Sequence, residues 1–321
     1  MSFTVISAGP LSSIQDLGRM GYQESGFSPS GAADTDALKA LNLLLNNDPG
    51  EAAVEMTLLG MTIRFDSECV FAVTGVDDSP VMNGVKLPMY QAVQAHAGDE
   101  LSFGYAVDGV RTYFGVAGGF DIPVSMGSRS TGMKFSVGGY HGRKLAAGDV
   151  ISFREIITEL PNMALRKMDP PVISQQVTLR VVPGPQNEAF SEESLALFFS
   201  STYQVSDNAD RMGIRLNGPQ IKAKEGSDII SDATANGAIQ IVNEGLPIIL
   251  MQDRQTTGGY AKIACVISAD LPLAGQLKPG AEIHFEPVTV QKAQSVLRMK
   301  EVKYKRTYKK INRRRSIEKS I

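Results

Sequence analysis

The chain has 321 residues, of which 43% are hydrophobic and 21% are charged, and its formal net charge is −2. A chain of this length and apolar content can bury a large core, and two packed domains are its natural division. No run of residues approaches the roughly 20 apolar residues of a membrane span, and the N-terminus lacks a basic segment followed by an apolar stretch. We therefore expect a globular, cytoplasmic protein without membrane contact.

Cysteine and histidine usage argues against disulfide and metal chemistry. Cys69 and Cys265 each lie in an apolar run, so we expect two reduced core thiols. The three histidines are far apart, and neither a CxxC nor an HExxH motif occurs, so we predict no bound metal. A Gly-x4-Gly-Lys-Ser/Thr loop is also missing, which argues against a self-contained P-loop ATPase.

Helical periodicity is confined to a few segments. Leucines and alanines repeat at helical spacing over Asp34–Asn46, behind an acidic start, and this pattern predicts a helix. A second helix is predicted at Ser191–Phe199, where a serine is followed by two glutamates. Strands are predicted between and after these helices at Met61–Phe65, Val70–Thr74, Val177–Val182 and Ile248–Met251.

A short motif recurs at 97–103, 147–153 and 279–285, where a glycine precedes alternating apolar and polar residues. Each copy predicts a turn that feeds a strand. Such units indicate a mostly β architecture of barrels or sandwiches. Two copies end the two halves of the chain, which suggests that the halves share a barrel-like plan, although coincidental turn chemistry would give the same pattern.

The domain boundary is predicted near the paired prolines Pro170 and Pro171. We place an N-terminal half at 1–160, a C-terminal half at 176–295 and a basic tail at 298–321. The simplest interpretation of the tail is a solvated, partly helical or disordered end. Contact with an acidic partner or with nucleic acid is the alternative, and we do not expect nucleic acid because the acidic body offers no second basic patch.

Two polar clusters in the N-terminal half are candidate ligand contacts. The first contains Gln15, Asp16 and Arg19, which place an amide, a carboxylate and a guanidinium in one short glycine-rich loop. The second contains Arg129 and Ser130, surrounded by small residues that would let a ligand approach the backbone. An Asp16–Arg19 ion pair that merely holds the loop is the alternative for the first cluster.

The third cluster directly follows the apolar strand predicted at Ile248–Met251. It supplies a carboxylate, a guanidinium, an amide and hydroxyl groups to the exit of this strand, as the rim of a pocket requires. These predicted substrate-binding residues are Asp253, Arg254, Gln255, Thr256 and Tyr260. A polar turn with an internal Asp253–Arg254 pair is the alternative.

Arg211 and Arg215 are two further cationic candidates. They are four positions apart on a predicted strand, so we expect both side chains to point outward and to add positive charge to the same rim.

These clusters also carry a family resemblance. Six segments, in order, resemble the family called allophanate hydrolase subunit 2, also labelled the biotin-dependent carboxyltransferase A/B family, and the resemblance spans about residues 3–295. The segments are GlnAspLeuGlyArg at 15–19, SerGlyAla at 30–32, GlyGlyPhe at 118–120 with GlySerArgSerThr at 127–131, AspArgMetGly at 210–213, GlyAlaIleGln at 237–240 and AspArgGlnThrThrGlyGlyTyr at 253–260.

The resemblance implies a mostly β fold of two tandem cyclophilin-like β-barrel domains with a few short helices. Members of the family include the C subunit of bacterial 5-oxoprolinase, and this is the role we expect. The resemblance then implies A and B subunits as partners, ATP used by the complex, no cofactor bound by this chain, and conversion of a small lactam or amide, 5-oxo-L-proline, to L-glutamate.

Two other family roles remain open. One is a carboxyltransferase-type component that acts on urea or allophanate. The other is a regulatory partner of a kinase-inhibitor protein, as in the Kip antagonist. The sequence assigns no catalytic residue.

Overall fold

The computed structural model describes residues 1–312. Within this range the chain forms twenty strands and four α-helices, so the predicted mostly β fold is confirmed. Among these described residues, no helix is both long and apolar enough to cross a membrane.

The N-terminal half is built from two antiparallel sheets, one of six strands and one of five. Their facing sides enclose an aromatic core in which Phe3 and Phe65 both meet the ring of Phe114 edge to face. The elements are β1 (Ser2–Ser7), β2 (Ser12–Gln15), α1 (Thr35–Leu44), β3 (Ala53–Thr57), β4 (Thr62–Phe65), β5 (Cys69–Gly75), β6 (Val81–Met82), β7 (Val85–Lys86), β8 (Ala92–Ala95), β9 (Glu100–Ser102), β10 (Arg111–Val116) and β11 (Val150–Ser152).

The C-terminal half contains a closed barrel of seven strands in the order β12-β19-β16-β17-β14-β13-β20. Strands β15 and β18 pair with each other as a separate ribbon. The elements are β12 (Gln176–Pro183), α2 (Glu192–Ser200), β13 (Tyr203–Val205), β14 (Gly213–Asn217), β15 (Asp228–Ala233), β16 (Ala238–Ile241), β17 (Pro247–Leu250), β18 (Thr257–Tyr260), β19 (Lys262–Val266), α3 (Leu271–Ala274) and β20 (Glu282–Pro287), followed by α4 (Val290–Ile311).

Local sequence signals set the start of the predicted elements. The Asp34 carboxylate caps α1 by accepting hydrogen bonds from two backbone N–H groups, and the Ser191 hydroxyl caps α2 by accepting one. The recurring motif places Gly98, Gly148 and Gly280 at φ values of +93°, +89° and +87°, each two positions before the first residue of β9, β11 and β20. Because glycine adopts this left-handed conformation without steric cost, each copy turns the chain into its strand, as predicted.

Helix α4 crosses the predicted start of the basic tail at residue 298 and packs against the body at both ends. Val296 packs with Ile267 and Ala269 from the C-terminal half. Ile311, near the other end of α4, is buried in the cluster that contains the leucines of α1. The helix therefore contacts both halves, unlike the expected solvated extension, because these two apolar side chains lie on its inner face. The remainder of the predicted tail, 313–321, lies outside the described residues.

The packing of α4 predicts a stability effect that depends on position. Ile311 is 2% exposed and Val302 is 47% exposed. Ile311→Ala should lower the free energy of unfolding by about 2–5 kcal/mol, because it leaves a cavity between α4 and α1. Val302→Ala is the matched control and should change it by less than about 0.5 kcal/mol. Urea unfolding of both variants tests this, and equal, small losses would show that α4 is not docked.

Candidate functional site

The structure brings the first two predicted clusters together around one carboxylate. Asp16 Oδ1 accepts hydrogen bonds from the Ser128 and Ser130 hydroxyls at 2.7 and 2.5 Å, and also from the Gly18 N–H at 2.7 Å. Asp16 Oδ2 accepts from the Arg129 N–H at 2.6 Å. This residue is 7% exposed. The hydrogen-bonding capacity of its carboxylate is therefore largely used within the protein.

Gln15 is fully buried, and both the nitrogen and the oxygen of its side-chain amide make hydrogen bonds. Its Nε2 donates to the Ser13 hydroxyl at 2.9 Å and to the Thr131 carbonyl at 3.3 Å. Its Oε1 accepts from the Gly31 N–H at 3.0 Å. The side chain holds three segments of the chain in place.

The two arginines of these clusters also bond to backbone. Arg19 Nη2 donates to the Ser130 carbonyl at 2.6 Å, and Arg129 Nε donates to the Ile122 carbonyl at 2.9 Å. Burial lowers the pKa of Arg19. Among residues 1–312, no ion pair joins Asp16 to Arg19. Hydroxyl and backbone donors to Asp16 therefore hold the loop. They replace the Asp16–Arg19 ion pair that was the alternative from the sequence.

Asp253, from the third cluster, pairs with Arg211 and with no other described cation. The Arg211 Nε lies 2.8 Å from Asp253 Oδ2, and its Nη1 forms a second ion pair with Glu55 of β3. Arg211 Nη2 donates to the Gly31 carbonyl at 2.7 Å. The expected outward position of Arg211 is wrong: it precedes β14 and is 4% exposed, because two carboxylates from different halves hold it inside.

Glu55, Arg211 and Asp253 form linked ion pairs between the two halves, which we call the seam. Glu55 makes further contacts there. Besides Arg211, its carboxylate lies near Arg111 Nε, and it accepts a 2.6 Å hydrogen bond from the Tyr113 hydroxyl. Burial opposes ionisation of Glu55, but the charges of Arg211 and Arg111 together with hydrogen bonds outweigh it, so the pKa of Glu55 lies below its ordinary value. The carboxylate is thus kept ionised inside the protein.

A second buried carboxyl group in the seam behaves differently. Asp34 Oδ2 accepts a 2.8 Å hydrogen bond from Gln276 Nε2, and Gln276 Oε1 accepts from the Arg111 N–H at 2.9 Å. Burial raises the pKa of Asp34 to about 6, since its neighbours within residues 1–312 supply hydrogen bonds but no ion pair.

Arg254 takes no part in the seam pairs. Its side chain is buried and donates from Nε to the Thr234 carbonyl and from Nη1 to the Met251 carbonyl, both at 3.3 Å. The residue lines a cleft of about 1130 Å³ between the two halves. The Asp253–Arg254 pair, the alternative for the third cluster, does not form within the described part of the chain.

The remaining residues of the third cluster lie just before ribbon strand β18, as Gln255 and Thr256 do, or at its end, as Tyr260 does. Gln255 Nε2 lies 3.5 Å from Gln240 Oε1, and Gln240 Nε2 donates to the Tyr260 carbonyl at 3.4 Å. Gln240 comes from barrel strand β16 and is buried. Two carboxamides therefore converge where the ribbon meets the barrel.

A lysine and a carboxylate lie next to these amides. The Lys262 side chain is 2% exposed, and its Nζ lies 3.0 Å from Asp232 Oδ2. Gln186 Nε2 donates to the same oxygen at 3.2 Å, and its Oε1 accepts from the Lys262 N–H. The buried ammonium is thus paired with Asp232, whose side chain is 47% exposed.

We call Gln186, Asp232, Gln240, Gln255 and Lys262 the glutamine–lysine cluster. Sequence reasoning found only Gln255 among them. Gln240 lies in a segment that carries the family resemblance, and Lys262 follows Tyr260 at strand spacing. A carboxamide can donate to and accept from a flat amide, and an ammonium can bind an anionic oxygen. The arrangement therefore suits a small ligand that combines an amide with a negative charge.

No metal-binding group accompanies this cluster in the described part of the chain, where no three His, Cys, Asp or Glu side chains are placed to hold an ion.

The raised pKa of Asp34 predicts a pH effect on stability. Because the folded state holds this proton up to about pH 6, and the unfolded state releases it near pH 4, stability should fall as pH rises between these values. The expected loss is roughly 2–3 kcal/mol. Asp34→Asn retains a side-chain oxygen that can cap α1. This variant should lack the part of the pH-dependent fall in stability that Asp34 causes.

The measurement is the free energy of unfolding at pH 4 and pH 7 for the native chain and for Asp34→Asn. Asp108→Asn is the matched control, because Asp108 is exposed and forms no ion pair among the described residues. An unchanged difference between the two pH values in Asp34→Asn would contradict the assignment.

Comparison with known proteins agrees with this geometry. Residues 25–287 match the family described as carboxyltransferase domain, subdomain A and B. The C subunit of 5-oxoprolinase from Escherichia coli (strain K12) is 37% identical over 295 residues, which cover 90% of this chain and 92% of that protein. The urea amidolyase of Saccharomyces cerevisiae is 33% identical over 315 residues, which cover 92% of this chain and 17% of that protein.

Among solved structures, the K. lactis urea amidolyase superposes with a TM-score of 0.88 at 29% identity. The match covers 95% of this chain but 20% of that one, so the chain corresponds to one part of a much longer enzyme. The family resemblance carried by the six sequence segments is confirmed. The chain belongs to the family of carboxyltransferase domains with subdomains A and B.

Proposed function

We propose that this chain is the C subunit of an ATP-dependent 5-oxoprolinase, which converts 5-oxo-L-proline to L-glutamate. The observation that carries the proposal is the match to the C subunit of E. coli 5-oxoprolinase over 90% of this chain and 92% of that protein. The protein of the same name from Haemophilus influenzae is 36% identical over the same shares. A subunit acts in an assembly, and we propose the A and B subunits as its partners in the cytoplasm.

The division of labour follows from the chemistry of the lactam. Its amide carbon is a poor electrophile, so transfer of a phosphoryl group from ATP to the amide oxygen would create a leaving group. Water then attacks that carbon, the ring C–N bond breaks with the nitrogen taking up protons to become the amine, and an acyl phosphate is left. A second water molecule hydrolyses the acyl phosphate to the carboxylate of L-glutamate and releases phosphate. Since this sequence carries no P-loop motif, we propose that another subunit binds ATP and that this chain holds no cofactor of its own.

We place the lactam at the glutamine–lysine cluster. The ring presents an N–H and a C=O side by side, and the carboxamides of Gln240 and Gln255 offer the matching acceptor and donor. The carboxylate of 5-oxoproline would bind the Lys262 ammonium, which has three N–H donors and is paired with Asp232 in the described part of the chain. Thr256 and Tyr260 flank the same ribbon strand and remain predicted substrate contacts.

The other predicted contacts receive a supporting role in this proposal. Gln15, Asp16, Arg19 and Ser130 bond to neighbouring side chains and backbone, and Asp253 is paired with Arg211. We propose that they hold the loops from which the site is built.

A carboxyltransferase acting on urea is the second candidate, favoured by the TM-score of 0.88 to the K. lactis urea amidolyase. Urea offers the same flat amide but has no carboxylate. Lys262 therefore distinguishes the two substrates, because only 5-oxoproline needs an ammonium partner.

The test is ATP-dependent glutamate release from 5-oxoproline by the assembled subunits, with each subunit omitted in turn. Lys262→Met should lower kcat/KM for 5-oxoproline by about 10- to 150-fold, because a charge-assisted hydrogen bond contributes about 1.5–3 kcal/mol. Lys292→Met, at an exposed position of α4, is the control and should have normal activity.

Three outcomes decide between the proposals. Glutamate release without this chain would contradict the subunit assignment. Normal activity of a correctly assembled Lys262→Met complex would contradict the placement of the lactam. ATP-dependent carboxylation of urea, without glutamate release from 5-oxoproline, would favour the second candidate.

A further inference from the structure

The cleft between the two halves is separate from the glutamine–lysine cluster. Its wall is formed by residues of both halves and of α4, among them Lys39, Arg254 and Tyr304. Of the described residues that line it, none belongs to the glutamine–lysine cluster. With a volume of about 1130 Å³, the cleft is large enough for a small-molecule ligand.

The cleft contains a buried cation that lacks a counter-charge. Arg254 is 4% exposed and uses two of its nitrogens on the carbonyls of Thr234 and Met251. Among residues 1–312, no carboxylate lies within ion-pair distance of its guanidinium and Nη2 makes no hydrogen bond. Burial lowers the pKa of Arg254 to about 10. A buried guanidinium without an anion is costly, and a bound carboxylate would relieve that cost through a charge-assisted contact.

Two buried acceptors in the same wall lack donors. Gln252 is 5% exposed, and its Nε2 donates to the Ala32 carbonyl at 3.2 Å, which fixes the orientation of the amide. Gln252 Oε1 and Asn236 Oδ1 have no hydrogen-bond partner in the described part of the chain. Both residues line the cleft. A ligand that satisfies them must bring N–H or O–H groups as well as a negative charge.

The rest of the lining favours an anion over a cation. Four lysines face two carboxylates around the cleft, and one of those carboxylates, Asp36, is already paired with Lys300. The side chains concerned are Lys39, Lys300, Lys303, Lys305, Asp36 and Glu301.

We propose that this cleft is a second ligand site, which binds a small α-amino acid. The carboxylate lies at Arg254, and the ammonium group donates to Gln252 Oε1 and Asn236 Oδ1. Helix α4 forms one wall, and it begins at residue 290, after the family match ends at residue 287. The site therefore combines the shared fold with an element outside the matched segment.

The experiment uses a fluorescent reporter that the chain itself allows. The sequence contains no tryptophan, so Tyr304→Trp places a single reporter in the wall of the cleft. The Tyr304 hydroxyl has no partner within residues 1–312, so this change removes no hydrogen bond. L-Glutamate is the probe, glutarate is the same diacid without the ammonium group, and sodium chloride controls for ionic strength.

L-Glutamate should change the emission of Trp in the reporter saturably at millimolar concentration or below, and glutarate should bind more weakly. Arg254→Lys in the reporter background should weaken glutamate binding by about tenfold or more, since lysine loses the planar fork. Arg298→Lys on the exposed side of α4 should have no effect. Asn236→Ala, which removes an unpartnered acceptor, should retain normal stability and weaken glutamate but not glutarate.

Lys262→Met tests whether glutamate binds in the cleft or at the proposed substrate site. If glutamate binds in the cleft, this variant should leave the glutamate titration unchanged. The absence of a saturable response, or a response equal to that of sodium chloride, would overturn the proposal. Glutamate binding that is unaffected by both Arg254→Lys and Asn236→Ala would also overturn it. A loss of binding in Lys262→Met alone would assign the glutamate to the glutamine–lysine cluster instead.

Discussion

The ion-pair seam of Glu55, Arg211 and Asp253 is the constraint on which the rest of the structure depends. Glu55 belongs to sheet strand β3 of the N-terminal half, and the other two residues belong to the C-terminal half. Leaving one partner of a buried pair uncompensated costs about 3–5 kcal/mol, so the two halves are held in one arrangement. That arrangement determines the shape of the cleft between them and the path that α4 takes across it.

Some buried charged groups are paired within the protein, whereas other buried polar groups remain available to a ligand. Asp253 and Arg211 have formed their ion pairs within the protein, and Asp16 has four donors around it. By contrast, the described residues leave the Arg254 guanidinium without a carboxylate, and Gln252 Oε1 and Asn236 Oδ1 without a donor. Because buried polar groups are normally satisfied, such exceptions are better indicators of ligand contact than charge alone.

What could be predicted from sequence was local. The α1 cap, the glycine turns and the position of Gln255 after a strand all follow from neighbouring residues. The pairing of Arg211 with Glu55 joins residues 156 positions apart, and no short motif encodes it. Helix α4 could not be predicted as a docked element because its buried side chains, Val296 and Ile311, are few and widely spaced in a strongly basic segment.

Thr234 connects the cleft to the glutamine–lysine cluster through hydrogen bonds. Its carbonyl accepts from Arg254 Nε at 3.3 Å, its hydroxyl donates to the Gln255 carbonyl, and its N–H donates to the Thr256 carbonyl at 3.0 Å. A ligand that draws Arg254 toward the cleft therefore acts on the same backbone that positions Gln255. If occupancy of the cleft changes affinity at the cluster, thermodynamic linkage requires the cluster to change affinity at the cleft by the same factor. Thr234 therefore joins the wall of the cleft to the segment that carries Gln255 through these three hydrogen bonds.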